Sequence, residues 1–272
     1  MRSDGGVLVK AIIRSAPDRL DEEVRRFEQR PLTRTAFLNG VPKCGTHLLR
    51  NIVRMFVPVE QHYSREFIQI PNFNEHRSAF DKDRPQFSVG HLLYADMSAS
   101  ALKHAHHVIL VRDPYDYVLA RTRFIFSDQF EQPQFNRLKG DLLSPEQMLN
   151  FMIFGVPGLP APAMREVFTH HALAWMGTGP EIVRYEDIVA GVKALDTVEA
   201  EGFFRVLLQK FGIGPLPADW RERVRIGADR KHSATAREHL GGAPNLPKTL
   251  PEAQRKLVDY AAPGLRQILG YA

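Results

Sequence analysis

Gly40 and Gly45 bracket a turn in the stretch NGVPKCGTHLLRN (39–51), with Lys43 inside it and Thr46 directly after it. The glycine spacing matches that of a nucleotide phosphate loop, G-x-x-x-x-G-K-[ST], but Thr46 stands where that loop has its lysine. The backbone chemistry survives the change. Amides around residues 43 to 47 can converge on one phosphate, and the N-terminus of a following helix adds about half a positive charge. The missing lysine is the group that reaches the β- and γ-phosphates of a triphosphate. The stretch therefore suits a single phosphate, with Lys43 beside whatever that phosphate carries. On this loop alone, an ordinary βα turn with incidental glycines competes with that account.

A second constellation is VILVRDPYDYVLA (108–120). Arg112 falls at the carboxyl end of an apolar run that reads as a buried strand, the end at which open α/β sheets bind ligands. A magnesium-binding strand would deliver an acid there. Here an arginine comes first, and Asp113 is followed by Pro114, the pattern of a helix cap and first helical residue. A surface salt bridge is the bland alternative for Arg112. Its position at the same end of the sheet as the first loop favours a phosphate clamp.

Positioning these residues requires strands alternating with helices. Thr35–Leu38 reads as a strand, 39–45 as the turn, and His47–Phe56 as a helix with Leu48, Leu49, Ile52, Val53 and Phe56 on one face. Asp18–Arg30 reads as a charged surface helix and 57–85 as loop with short pieces of structure. Residues 86–89 read as a strand end, Ser98–Lys103 as a short helix, and 107–111 as a strand. A helix follows from Asp113 to about Phe126, and 127–143 is irregular. Helices are expected at 145–154, 163–176 and 199–211, and a strand at 181–185. A long loop is expected at 226–247, and two helical pieces close the chain. The alternation predicts an α/β fold with a central parallel sheet flanked by helices, in one domain over 1–272.

The 272 residues, 44% of them hydrophobic, can bury a large core. Net charge is +5, which suits an anionic ligand and equally a soluble surface. No dense basic stripe interleaved with aromatics points to nucleic acid. Cys44 is the single cysteine, so no intrachain disulfide can form, and a reducing compartment fits. MRSDGGVLVKAIIRS is too charged for a signal peptide, and no apolar run approaches the roughly 20 residues of a membrane span. The expectation is a cytoplasmic protein.

The motifs together resemble those of sulfotransferases that use 3′-phosphoadenosine 5′-phosphosulfate (PAPS). PKCGTHLLRN (42–51) resembles their 5′-phosphosulfate loop, often PKSGTTWL, and VRDPYDYVLA (111–120) their 3′-phosphate motif. GHLLY (90–94) is similar to their histidine segment and RYEDI (184–188) to their RYEDL strand end. HSATAREHLGG (232–242) is a looser match to the SxTFRKGxxG tail. The five occur in family order across most of the chain. The resemblance implies a sulfotransferase-like P-loop fold, PAPS as donor, PAP (3′,5′-bisphosphoadenosine) as product, no required metal, and a small-molecule or saccharide acceptor. It implies that the amides of Lys43, Gly45, Thr46 and His47 cradle the 5′-phosphate, with Cys44 filling the slot of the family's serine. Lys43 would neutralise charge on the bridging oxygen, Arg112 and Arg237 would grip the 3′-phosphate, Tyr185 would line the adenine site, and His91 would take the acceptor's proton. A carbohydrate-type hydroxyl is the favoured acceptor.

The sequence also departs from the pattern. His47 replaces a threonine, Leu48 the tryptophan that stacks on adenine, and Ala120 a serine of the 3′-phosphate site, for which Thr122 or Arg121 could substitute. Glu238 and His239 replace lysine and glycine in the tail. Two rivals follow: a P-loop nucleotide-dependent kinase, or a non-catalytic binder of nucleotides or anionic glycans. Among other candidates, Cys44 at a helix N-terminus could be a reactive thiol. His104, His106 and His107 read as a solvated turn rather than a metal site, and His170 and His171 as surface or packing residues. Glu186 and Asp187 read as cap and turn. Phenylalanines 67, 73, 80, 124, 126, 130 and 135 read mostly as core, with some lining the acceptor pocket.

Overall fold

A computed structural model describes residues 12–13, 18–63, 67–136, 138, 143–156, 158–159, 161–233 and 246–271. Four strands form one parallel sheet in the order Phe87–Gly90, Ala36–Gly40, His106–Val111, Glu181–Arg184. The two middle strands are the most apolar stretches. All five residues of Ala36–Gly40 are buried, as are the last four of His106–Val111. The sheet is flanked by helices, as strands this fully buried require.

The Ala36–Gly40 strand has the next strand in sequence on one side and the one after that on the other. Its connections therefore leave in opposite directions, and a crevice opens beyond its carboxyl end. The loop 41–45, the segment after Gly90 and the Arg112 turn all start at that end.

Most expected elements occur, with instructive differences. The helix expected over 18–30 covers only Leu20–Val24, because the Gln29 side chain turns back to donate to the Val24 carbonyl oxygen (3.2 Å). The expected 163–176 helix runs from Met164 to His171 and then tightens into a 3₁₀ turn at Leu173–Trp175. That turn brings the Trp175 indole N–H to the Leu92 carbonyl oxygen (3.3 Å). In the region expected to be irregular, Phe130–Glu131 pairs antiparallel with Ile12–Ile13, and Pro133–Asn136 is a single helical turn. Helices Tyr185–Lys193 and Trp220–Gly227 were not expected. The second overlaps the start of the supposed 226–247 loop, of which 234–245 lies outside the described residues.

Asp113 caps the Pro114–Ile125 helix by accepting from the Tyr115 N–H (2.9 Å), as its sequence pattern predicts. Its two oxygens also accept from Arg266 Nε (3.1 Å) and Nη2 (2.9 Å), tying the C-terminal segment to the Arg112 turn. Among the described residues, no helix is long and apolar enough to cross a membrane.

Candidate functional site

The loop after the Ala36–Gly40 strand is shaped by two left-handed residues, Lys43 (φ +68°) and Gly45 (φ +92°). A non-glycine residue at positive φ is uncommon and is held only where its surroundings impose it. Gly45 has a second reason to be glycine: a Cβ there would meet the Tyr185 ring at 2.3 Å. A Cβ at Gly40 would meet Thr46 Oγ1 at 2.2 Å. The Thr46–Arg54 helix starts directly after Gly45. Among the described residues, the N–H groups of Lys43, Gly45, Thr46 and His47 find no backbone acceptor, whereas the Cys44 N–H donates to the Val41 carbonyl oxygen (3.1 Å). A concave set of open amides at a helix start attracts anions.

Cationic groups stand around these amides. Lys43 Nζ lies 2.9 Å from the centroid of the Phe124 ring, and burial pulls its ammonium down to about 7. Arg112 leaves the end of the His106–Val111 strand with its guanidinium over the Tyr185 ring, Cζ 4.6 Å from the centroid. Among the described residues its Nε is buried without a partner, as is Thr46 Oγ1. Buried polar atoms are nearly always hydrogen-bonded, so two orphans at one loop mark a place where a ligand's acceptors would be satisfied. Both residues line a cleft of about 690 Å³. Leu48 and Asn51 come to it from the loop helix, Ala120, Arg123 and Phe124 from the Pro114–Ile125 helix, and Val189, Val192 and Lys193 from the Tyr185 helix. Gly227 to Arg230 and Ser233 close the far wall.

His91 also lines this cleft, with Lys43 and Phe67. Its backbone is clamped. Buried Asn39 accepts from the Leu92 N–H (2.8 Å) and donates to the Leu92 carbonyl oxygen (3.1 Å), and the His91 N–H donates to Ile68 (2.8 Å). Its Nδ1–H donates to the Gly40 carbonyl oxygen, which leaves Nε2 as the basic nitrogen. Phe67 stacks on the ring at 5.0 Å with planes 7° apart, and meets His47 edge-on at 5.3 Å. Burial lowers His91 to about 4, the Gly40 bond opposing and Lys43 assisting. Burial, then Arg50 and Lys43, lowers His47 to about 3. Both rings are neutral at pH 7.

The Asn39 clamp makes a measurable prediction. In Asn39→Leu the Leu92 carbonyl keeps the Trp175 indole, but the Leu92 N–H loses its acceptor. An orphaned buried amide costs about 1–3 kcal/mol. Urea denaturation should show a loss of that size, and unchanged stability would mean that Asn39 does not hold this segment.

The structure brings Lys43, Gly45, Thr46, His47, His91, Arg112 and Tyr185 to one cleft. Arg237 lies outside the described residues. Cys44 does not face the cleft: its side chain is wholly buried, its amide is occupied, and burial pushes the thiol well above its ordinary value. The reactive-thiol expectation is thus corrected. Neither proposed substitute for the serine at Ala120 reaches the cleft. The Thr122 hydroxyl donates to the Val118 carbonyl oxygen (2.7 Å), and Arg121 Nη1 donates to Pro162 (2.8 Å) on the far side of the helix. Arg123, one turn beyond Ala120, lines the cleft instead, with Lys193 and Arg230.

Glu186 is structural, accepting from the Asp113 N–H (3.2 Å) and the Tyr271 hydroxyl (2.7 Å). His106 and His107 are not in a solvated turn. They open a sheet strand, and His107 packs between Phe37 (5.8 Å) and Trp175 (4.7 Å). Among the described residues, no three His, Cys, Asp or Glu side chains cluster as a metal site. Phe67 is the aromatic that bears most directly on His91, and no sequence motif marks Asn39, Asn51, Arg123, Lys193 or Arg230.

Fold and cleft define a parallel α/β protein with a P-loop-like turn at the carboxyl end of its sheet. No protein-family model matches the chain, and no curated protein matches it. Among solved structures, mouse sulfotransferase SULT7A1 complexed with PAP is similar over 90% of this chain and 79% of that one, at 15% identity and a TM-score of 0.46.

Proposed function

We propose that the chain transfers a sulfuryl group from PAPS to an acceptor hydroxyl, releasing PAP. The observation that carries this reading is the pairing, in one cleft, of unsatisfied anion-binding donors with a histidine of fixed tautomer. PAPS supplies an activated sulfuryl group. The amides of Lys43, Gly45, Thr46 and His47 hold its 5′-phosphate, with Thr46 Oγ1 adding a hydroxyl. Lys43 lies beside the bridging oxygen and offsets its developing charge. Arg112 reads the 3′-phosphate, with Arg123 on the cleft-facing side of the same turn as Ala120. Tyr185 forms a wall for the adenine. His91 Nε2 accepts the acceptor's proton. In-line placement and charge neutralisation are the main requirements of such a transfer.

A kinase is disfavoured by the residues themselves. Thr46 stands where the phosphate-gripping lysine is needed, and the strand-end acid, Asp113, is committed to Arg266 and the Tyr115 amide. Calorimetry without magnesium tests the proposal. PAP is expected to bind about 10- to 100-fold more tightly than AMP, the worth of one charge-assisted hydrogen bond. ATP binding that requires magnesium, or binding of none of the three, would sink it.

A further inference from the structure

We infer that Arg50, behind the cleft-lining ring of Phe67, forms an anion subsite with it, so that the acceptor carries a carboxylate separated by a short spacer from the hydroxyl it presents to His91. This rests on the proposed sulfuryl transfer. His47, Arg50 and Arg54 recur at intervals of three and four residues along the Thr46–Arg54 helix and so share a side. The two arginines are used very differently. Arg54 is nearly buried (6% exposed) and saturated by charge, with Nη1 on Asp18 Oδ2 at 2.6 Å and Nη2 on Asp21 Oδ1 at 2.7 Å.

Arg50 reaches the same Asp18 oxygen only at 3.4 Å, well beyond the 2.7–2.9 Å of a charge-assisted bond, and its side chain remains 24% exposed. A guanidinium has five N–H donors, and among the described residues this one makes a single long polar contact, to an oxygen that Arg54 already holds. Its Cζ lies 6.0 Å from the centroid of Phe67, and Phe67 is the ring stacked on His91. One aromatic ring therefore separates an under-used guanidinium from the proposed base. Arg50 also makes the largest charge contribution to lowering the His47 pKa, so its field reaches the cleft wall. A planar, partly desolvated guanidinium beside an aromatic face suits a bidentate carboxylate. A neutral sugar or alcohol would leave its donors unused.

The test uses 4-hydroxyphenylpropionate and 4-hydroxyphenylpropionamide, which differ only in the anion. PAP binding is measured first. With PAP bound, the carboxylate should bind about 10-fold or more tightly than the amide by calorimetry. With PAPS, the advantage should appear in KM and not in kcat. Arg50→Gln should abolish the preference while PAP affinity stays unchanged, and Arg50→Lys should restore part of it. Equal affinity for the two probes, failure of both to bind, or a preference that survives Arg50→Gln would overturn the subsite while leaving PAP binding intact. Loss of PAP binding in the wild-type protein would instead remove the donor reading. The same probe pair on the ligand-free protein would then decide the subsite by the same criterion.

Discussion

Replacing His91 with alanine is expected to lower turnover by about 10²- to 10⁴-fold while PAP still binds with wild-type affinity. The split follows from geometry. His91 touches the cleft beside Lys43, whereas the open amides and the Arg112 guanidinium belong to other segments. The Nδ1–H bond to the Gly40 carbonyl fixes the tautomer, so the lone pair sits on Nε2 at every encounter. A base held in one orientation needs no reorganisation when the acceptor arrives. Its pKa of about 4 keeps it unprotonated from pH 6 upward, so activity should show no histidine limb in that range. Such a limb belongs at lower pH, and it should move upward once donor phosphates lie nearby, because neighbouring negative charge favours the protonated ring. Initial rates and calorimetry on the same preparations check the prediction. Near-wild-type turnover would remove His91 as the base. An equal loss of PAP affinity would show that its bond to Gly40 holds the loop rather than the chemistry.

The parts of this arrangement legible in sequence are those set by local rules. Glycines at 40 and 45, the apolar run ending at Arg112 and the Asp113–Pro114 cap are each dictated by backbone sterics or by burial on both sheet faces. The Tyr185–Lys193 helix was hidden because it starts on the residue after a strand, with no linker to announce it. Glu186 and Asp187 do supply the acidic first turn of a helix, and Lys193 the basic end. The Trp220–Gly227 helix ends on a glycine that looks like a break. That glycine is required by packing, since a Cβ at Gly227 would meet the Asn51 carbonyl at 2.8 Å.

Side-chain direction was the harder matter. Cys44, Arg121 and Thr122 each sit next to a cleft residue, and each points into the core or its own helix. A shift of one residue on a helix turns a side chain by about 100°, following from 3.6 residues per turn, so proximity in sequence predicts nothing about which neighbour reaches a ligand. Phe67 lies beyond any periodic element, and its stacking on His91 is a tertiary contact that no local pattern encodes. The seven phenylalanines singled out in sequence were indistinguishable until packing separated them.

Lys43→Met is expected to lower turnover by about 10²- to 10³-fold, as removal of a group that stabilises developing negative charge does, and to remove a proton from the binding equilibrium. Lys43 is buried against the Phe124 ring, and that burial alone brings it to about 7 in the free protein. At pH 8 and above it is mostly neutral. An anion bound at the adjacent amides favours the ammonium and raises this pKa. Binding above pH 7 must then take up about one proton, and PAP affinity must fall as pH rises, by at most tenfold per unit. Below pH 7 the ammonium is already present and contributes no uptake. His47 and His91, the other titratable groups lining this end of the cleft, start at about 3 and 4. Their uptake, if anions raise them, belongs to the acid side of the profile. Calorimetry at pH 8.5 in Tris and in HEPES, whose ionisation heats differ, measures the proton directly. The wild-type protein should show the uptake, and Lys43→Met should show none and a flat affinity between pH 7 and 9. Uptake that persists in the variant would assign the proton to another group and take Lys43 out of the phosphate's field.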